Sequence, residues 1–154
     1  MMAATRRWAL PLILLLAAPG CGAAPSTEKA LMTDNSDSTA ILKRIGLTLP
    51  PSARIEYTDY SAGMDDAARV LVVMPEAEWA TFLEDITRQA PRPPEFVEDA
   101  DFALGTAKPG WNPAEAKGLK TGELAWKNET EALNVGYAPA RTGQVRVFLF
   151  WHQL

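Results

Sequence analysis

Cysteine and histidine are almost missing from this chain, with one of each in 154 residues. A single cysteine closes no disulfide within one chain, so the fold has to be held by core packing. Zinc sites draw on several His and Cys side chains, and His152 alone supplies no such set. A Ser-His-Asp triad would need His152 together with a serine that no spacing recommends. Lying third from the end on an alternating stretch, His152 fits a structural role better than a catalytic one. Gly-x-Ser-x-Gly, His-Glu-x-x-His, Cys-x-x-Cys and Gly-x-Gly-x-x-Gly are all absent. Neither a cofactor nor a metal is therefore expected. A basic surplus is lacking too: 15 Lys and Arg stand against 19 Asp and Glu. That balance argues against nucleic acid as a partner, which calls for a basic patch or stripe. The apolar run Trp8 to Ala18 falls short of the ~20 residues that cross a bilayer.

That run does fit the middle of a secretory leader. Met1 to Arg7 forms a short basic start, and Ala17-Ala18-Pro19-Gly20-Cys21 brings small residues up to the cysteine. Ala18-Pro19-Gly20-Cys21 resembles the lipobox of bacterial lipoproteins, in which a small residue precedes an invariant Cys. The common pattern has Leu first and Ala or Ser second, where this chain has Ala18 and Pro19. The resemblance implies a signal peptide over 1–20 and a lipid on Cys21, the first residue of the mature protein. An ordinary secretory signal, cut near Ala18 or Ala24, is the alternative. The chain is then exported and held by lipid at the cell membrane or the outer membrane, the membrane being its first partner. Gly22, where Asp does not stand, resembles the pattern sorted to outer membranes. Losing the leader removes Arg6 and Arg7 but no acid, which takes the net charge from −4 to −6. Residues 21–36 are small and polar and read as a tether spanning on the order of 20 Å.

Residues 37–154 read as a single domain of ordinary size, like small envelope lipoproteins in outline but without a motif of a named family. A short helix is predicted over Ser38–Ile45, with Gly46 ending it in a left-handed turn. Ala53 to Tyr60 alternates, placing Ala53, Ile55 and Tyr57 on one face of a half-buried strand. Val70-Leu71-Val72-Val73 is continuous enough for a central strand. Pro75 marks the start of the clearest helix, with Glu76 and Glu78 in its first turn and Trp79, Phe82, Leu83 and Ile86 on one stripe. Pro91 to Pro94 ends it. Glu95 to Leu119 follows neither period. From Gly122 the period of two returns, and three strands with turns about every ten residues form a meander. Both faces of the last strand are largely apolar, so it belongs inside the sheet. The expected class is α+β: an antiparallel sheet of about five strands, a hairpin plus a meander, with one or two helices on one face.

Carboxylates and aromatics are what remains for function. Asp59, Asp65 and Asp66 flank the first hairpin turn, either as solvated turn formers or as acids converging on a site. Glu95, Glu98, Asp99 and Asp101 form an acidic knot in the aperiodic segment, either a solvated loop or a docking surface for a basic protein. Trp111 sits in a Pro-Gly-Trp-Asn-Pro turn, outside either period, as a plug for the end of the sheet or as an exposed anchor. Glu95, Glu98, Asp99, Asp101 and Trp111 together are the candidate partner-binding residues. The expectation is a membrane-anchored, non-enzymatic binding module, of inhibitor, immunity or assembly type. The alternative is a carboxylate-dependent hydrolase acting on cell-wall or sugar substrates.

Overall fold

The computed structural model describes residues 35–154. The signal 1–20, Cys21 and most of the tether 21–36 lie outside the described residues. In chain order come α1 (Asn35–Ile45), β1 (Arg54–Ser61), β2 (Ala67–Pro75), α2 (Glu76–Gln89) and β3 (Val97–Glu98). Two 3-10 turns follow, Asp101–Leu104 and Pro113–Glu115, and then β4 (Lys120–Trp126), β5 (Glu131–Pro139) and β6 (Gln144–Gln153). The strands make one antiparallel six-stranded sheet in the order β1-β2-β6-β5-β4-β3. The class is α+β, with one more strand than expected: β3 is only 2 residues long, too short to show a period.

Alternation along the strands sorts the core into two layers. Val70, Val72 and Met74 of β2, Val147, Leu149 and Trp151 of β6, and Leu124 and Trp126 of β4 share one face. Trp79, Phe82 and Ile86 of α2 and Ile41 and Ile45 of α1 cover that face. Leu71 and Phe148 point the other way, beneath Leu104, Trp111 and Leu119 of the aperiodic segment. Helices thus bury one side of β6 and loop residues bury the other. This explains why β6 lacks a polar face and lies between β2 and β5.

β1 departs from its predicted facing. The register slips between Ile55 and Tyr57, leaving Glu56 as an extra residue opposite β2. One added residue reverses the parity of everything after it. Ile55 therefore packs with the helices, whereas Tyr57 packs on the opposite face, with Trp111.

Both helices are tied to the sheet at their ends. α1 starts at Asn35, three residues before the predicted start, and stops as predicted at Gly46, whose φ is 87°. The Gly46 and Leu47 N–H groups both donate to the Leu42 carbonyl at 2.9 Å. Trp126 Nε1 donates to the Ile45 carbonyl at 2.7 Å, and Lys127 Nζ donates to that of Arg44. Two of the carbonyls left unpaired at the end of α1 are thereby satisfied from the β4–β5 hairpin. Beside them the buried Glu131 accepts from Trp151 Nε1 and pairs with Lys127. β2 runs into α2 without a loop, and the first helical N–H, that of Glu76, donates to the Gly143 carbonyl at 3.0 Å. Among the described residues no helix is long and apolar enough to cross a membrane.

Candidate functional site

Past α2 the chain forms β3 on the outer edge of the sheet and then crosses over the face opposite the helices. Val97 and Glu98 pair with Thr121 and Lys120 of β4. Asp99 takes a left-handed φ of 55°. That turn aims its N–H at the Leu119 carbonyl, 3.1 Å away. Thr121 Oγ1 donates to the Ala100 carbonyl at 3.1 Å. Leu104 then drops into the core, fully buried. The acids ride on the outside of this fastened ribbon. Glu95, Glu98 and Asp99 are exposed and Asp101 is half-buried. Only Glu98 has an ionic partner among the described residues, Lys120 at 3.4 Å.

Trp111 is not part of this surface, which corrects its assignment as a partner contact. Its ring is 0 % exposed. It stands edge-on to Phe148 at 5.3 Å and tilted against Tyr57 at 6.1 Å. Its Nε1 donates to the Leu104 carbonyl at 3.2 Å. Reciprocal backbone bonds of 2.8 Å join Lys108 and Trp111, closing the turn that drives the ring inward. Trp111 is the plug of the second core layer.

A different aromatic of this segment, one that nothing in the sequence singles out, is the exposed one. Phe102, in the first 3-10 turn, is 82 % exposed, and Val97 on β3 is 55 % exposed. In the chain Val97 lies between Glu95 and Glu98, and Phe102 directly follows Asp101. A 3-10 turn of 4 residues cannot bury every side chain. Leu104 takes the inward position and Phe102 is left outward. The acidic knot is therefore an acidic ledge with an apolar tip.

The acids of the first hairpin do not converge. Asp59 bridges Arg69 at 3.1 Å and Lys108 at 2.7 Å. The Arg69 guanidinium lies 4.9 Å over the Phe150 ring. Asp66 instead accepts from the Tyr60 hydroxyl at 2.6 Å, the Gly63 N–H at 3.1 Å and Arg44 at 3.2 Å. The Tyr60 hydroxyl first, then the Gly63 N–H, hold the Asp66 carboxyl below its ordinary range. The same bond pushes Tyr60 up. Asp65 is exposed beside them. His152 stacks on Phe150 with ring centres 5.2 Å apart. Among the described residues no three His, Cys, Asp or Glu side chains gather as a metal set would require.

Two concavities adjoin on the helical side. Both lie between α2 and the connection from α1 to β1, each measures about 460 Å³, and they share Thr48, Phe82 and Asp85. Leu49, Pro50, Pro51 and Ala77 wall the first, which also holds Glu78. Ile86, Arg88 and Gln89 line the second. Leu49-Pro50-Pro51 reads in sequence only as an extended entry to β1. A groove made by two segments some thirty residues apart leaves no periodic trace. No family model, curated protein or solved structure matches this chain.

Proposed function

We propose that this chain is a lipid-anchored, non-enzymatic binding module of the cell envelope, and that it engages a basic protein surface through the ledge from Glu95 to Phe102. The observation that carries the reading is Phe102, 82 % exposed on a ribbon bonded at Leu119 and Thr121. A large aromatic held in water beside exposed acids is costly to the isolated domain and useful to an interface. Aromatic side chains supply much of the binding energy where they insert into a partner. Surrounding carboxylates speed the encounter with a basic surface and orient it. Because the ribbon is already ordered, docking forfeits little conformational freedom. Lipid on Cys21 confines the encounter to a membrane surface, and two or more acyl chains hold a protein stably where one does not.

Capture from native membranes with the anchored protein tests this reading. Wild type should retain a protein with a basic surface. A variant with Glu95, Glu98, Asp99 and Asp101 changed to their amides should retain far less. Its melting temperature should stay close to that of wild type, because three of the four acids are exposed and exposed charges contribute little to stability. With the captured partner, the amide variant should associate more slowly, and its rate should respond less to salt. Phe102→Ala should leave association nearly unchanged and speed dissociation about tenfold, equivalent to ~1.4 kcal/mol. Equal capture by wild type and the amide variant moves the site elsewhere. Cys21→Ala should release the protein from membranes or block its maturation, and wild type should incorporate a fatty-acid probe. Unlabelled wild type removes the anchor from the proposal.

A further inference from the structure

We propose that the groove between α2 and the Gly46–Pro51 connection binds an extended basic peptide. An apolar side chain would seat between Leu49 and Pro50, over Phe82, with a lysine or arginine against Glu78 and Asp85.

Size and shape come first. The two adjoining cavities, about 460 Å³ each, fall in the range of ligand sites, and shared Thr48, Phe82 and Asp85 make them one trough. Its lining runs along α2 from Ala77 to Gln89, a rise of about 18 Å. An extended chain covers that distance in about six residues. A trough of this length suits a strand of peptide better than a compact metabolite.

The walls are already in place. Ala53 N–H donates to the Pro50 carbonyl at 3.0 Å, closing a turn on Pro50-Pro51. The two proline rings fix φ through that turn. At the other end, the Gly46 and Leu47 N–H groups are bonded to Leu42. The floor is Phe82, held at 3 % exposure by the core beneath it. A peptide entering this trough displaces water and orders nothing but itself.

Charge selects the occupant. Glu78 and Asp85 line the first cavity and no Lys or Arg does. Arg88, the one cation along the trough, lies in the second cavity, bonded to Asp85 at 3.0 Å. Glu78 Oε2 is shut away from water and has no hydrogen-bond partner. Glu78 as a whole is half-buried and lines the first cavity, so an incoming ammonium or guanidinium can pair with its carboxylate there. The same charges repel acidic peptides. The ledge acids take no part in lining the trough, so this proposal stands apart from the ledge reading.

Fluorescent acetyl-Leu-Lys-Leu-Leu-Lys-Leu-amide, titrated into the full-length protein, tests the proposal. Alternate residues of an extended chain face opposite ways, so either face of this peptide presents two leucines and one lysine. Saturable binding is expected, about tenfold tighter than for the peptide with Gln in place of Lys. The Glu-containing peptide should not bind. Glu78→Gln and Asp85→Asn should each weaken the lysine peptide severalfold and leave the melting temperature unchanged. Thr81→Trp, a change at an exposed position lining the first cavity, should obstruct the seat over Phe82 and weaken binding at least tenfold. Absence of saturable binding at millimolar peptide overturns the proposal. Unchanged affinity in the Thr81→Trp protein overturns it too, as does loss of binding in the protein with Glu95, Glu98 and Asp99 neutralised, which places the peptide on the ledge.

Discussion

Trp111→Ala should cost about 3–5 kcal/mol of folding stability, as other buried aromatic truncations do. A small domain holds roughly 5–15 kcal/mol in total, so this change alone removes a large share. The ring is fully buried, and it is the meeting point of Tyr57, Phe148 and the ribbon above them. Its loss also frees the Leu104 carbonyl, which then has no donor. Trp111→Phe separates the two effects: it keeps most of the packing and loses the donor, at a cost of about 1–3 kcal/mol. Urea titrations of all three proteins measure the differences. A loss below about 1 kcal/mol for Trp111→Ala would mean that the ring is not the plug.

Phe82→Ala should be comparably damaging, about 3–5 kcal/mol. Phe82 is the central residue of the stripe that α2 lays on the sheet, between Trp79 and Ile86, and all three are buried. Its ring lies 6.2 Å from that of Trp79. Deleting it opens a void among Trp79, Ile86 and the helical face of the sheet, which a helix fastened at Gly143 closes only in part. Leu83→Ala, at a partly buried position on the flank of the same helix, should cost clearly less. Equal losses at the two sites would show that α2 is rotated from the orientation described.

Legibility followed periodicity. α2 could be read because Trp79, Phe82 and Ile86 recur at helical spacing behind Pro75. β6 could be read because Val145 to Trp151 alternate while both faces stay apolar. Tyr57 was placed on the wrong face because a bulge adds a residue without disturbing the apparent alternation; only the hydrogen-bond register reveals it. The site was half legible. Glu95, Glu98 and Asp99 stand out as charge and are indeed exposed. Trp111 takes the plug position, one of its two readings, and Phe102, which nothing in the sequence singles out, is the exposed ring. In a segment lacking a period, hydrophobicity alone does not tell an inward ring from an outward one. The sorting depends on two local details, the Lys108–Trp111 bridge and the short turn that gives Leu104 the inward position. A proline pair such as Pro50-Pro51 signals an extended stretch and carries no sign of a wall facing a helix.

The placing of β6 has a consequence for the order in which this fold assembles. β1 and β2 form a hairpin from neighbouring sequence, and so do β4 and β5, but β2 has no partner on its other edge until β6 arrives. The Ala67–His152 pairing joins residues from nearly opposite ends of the domain. Contacts of such long sequence separation slow folding, because the loop must close before the contact stabilises it. Two-stranded hairpins are only marginally stable in water. A chain emerging from its N-terminal side thus exposes the β2 edge, with Val70 to Val73 along it, until the last strand, Gln144–Gln153, follows. The β2 edge is therefore closed only when β6 pairs along it.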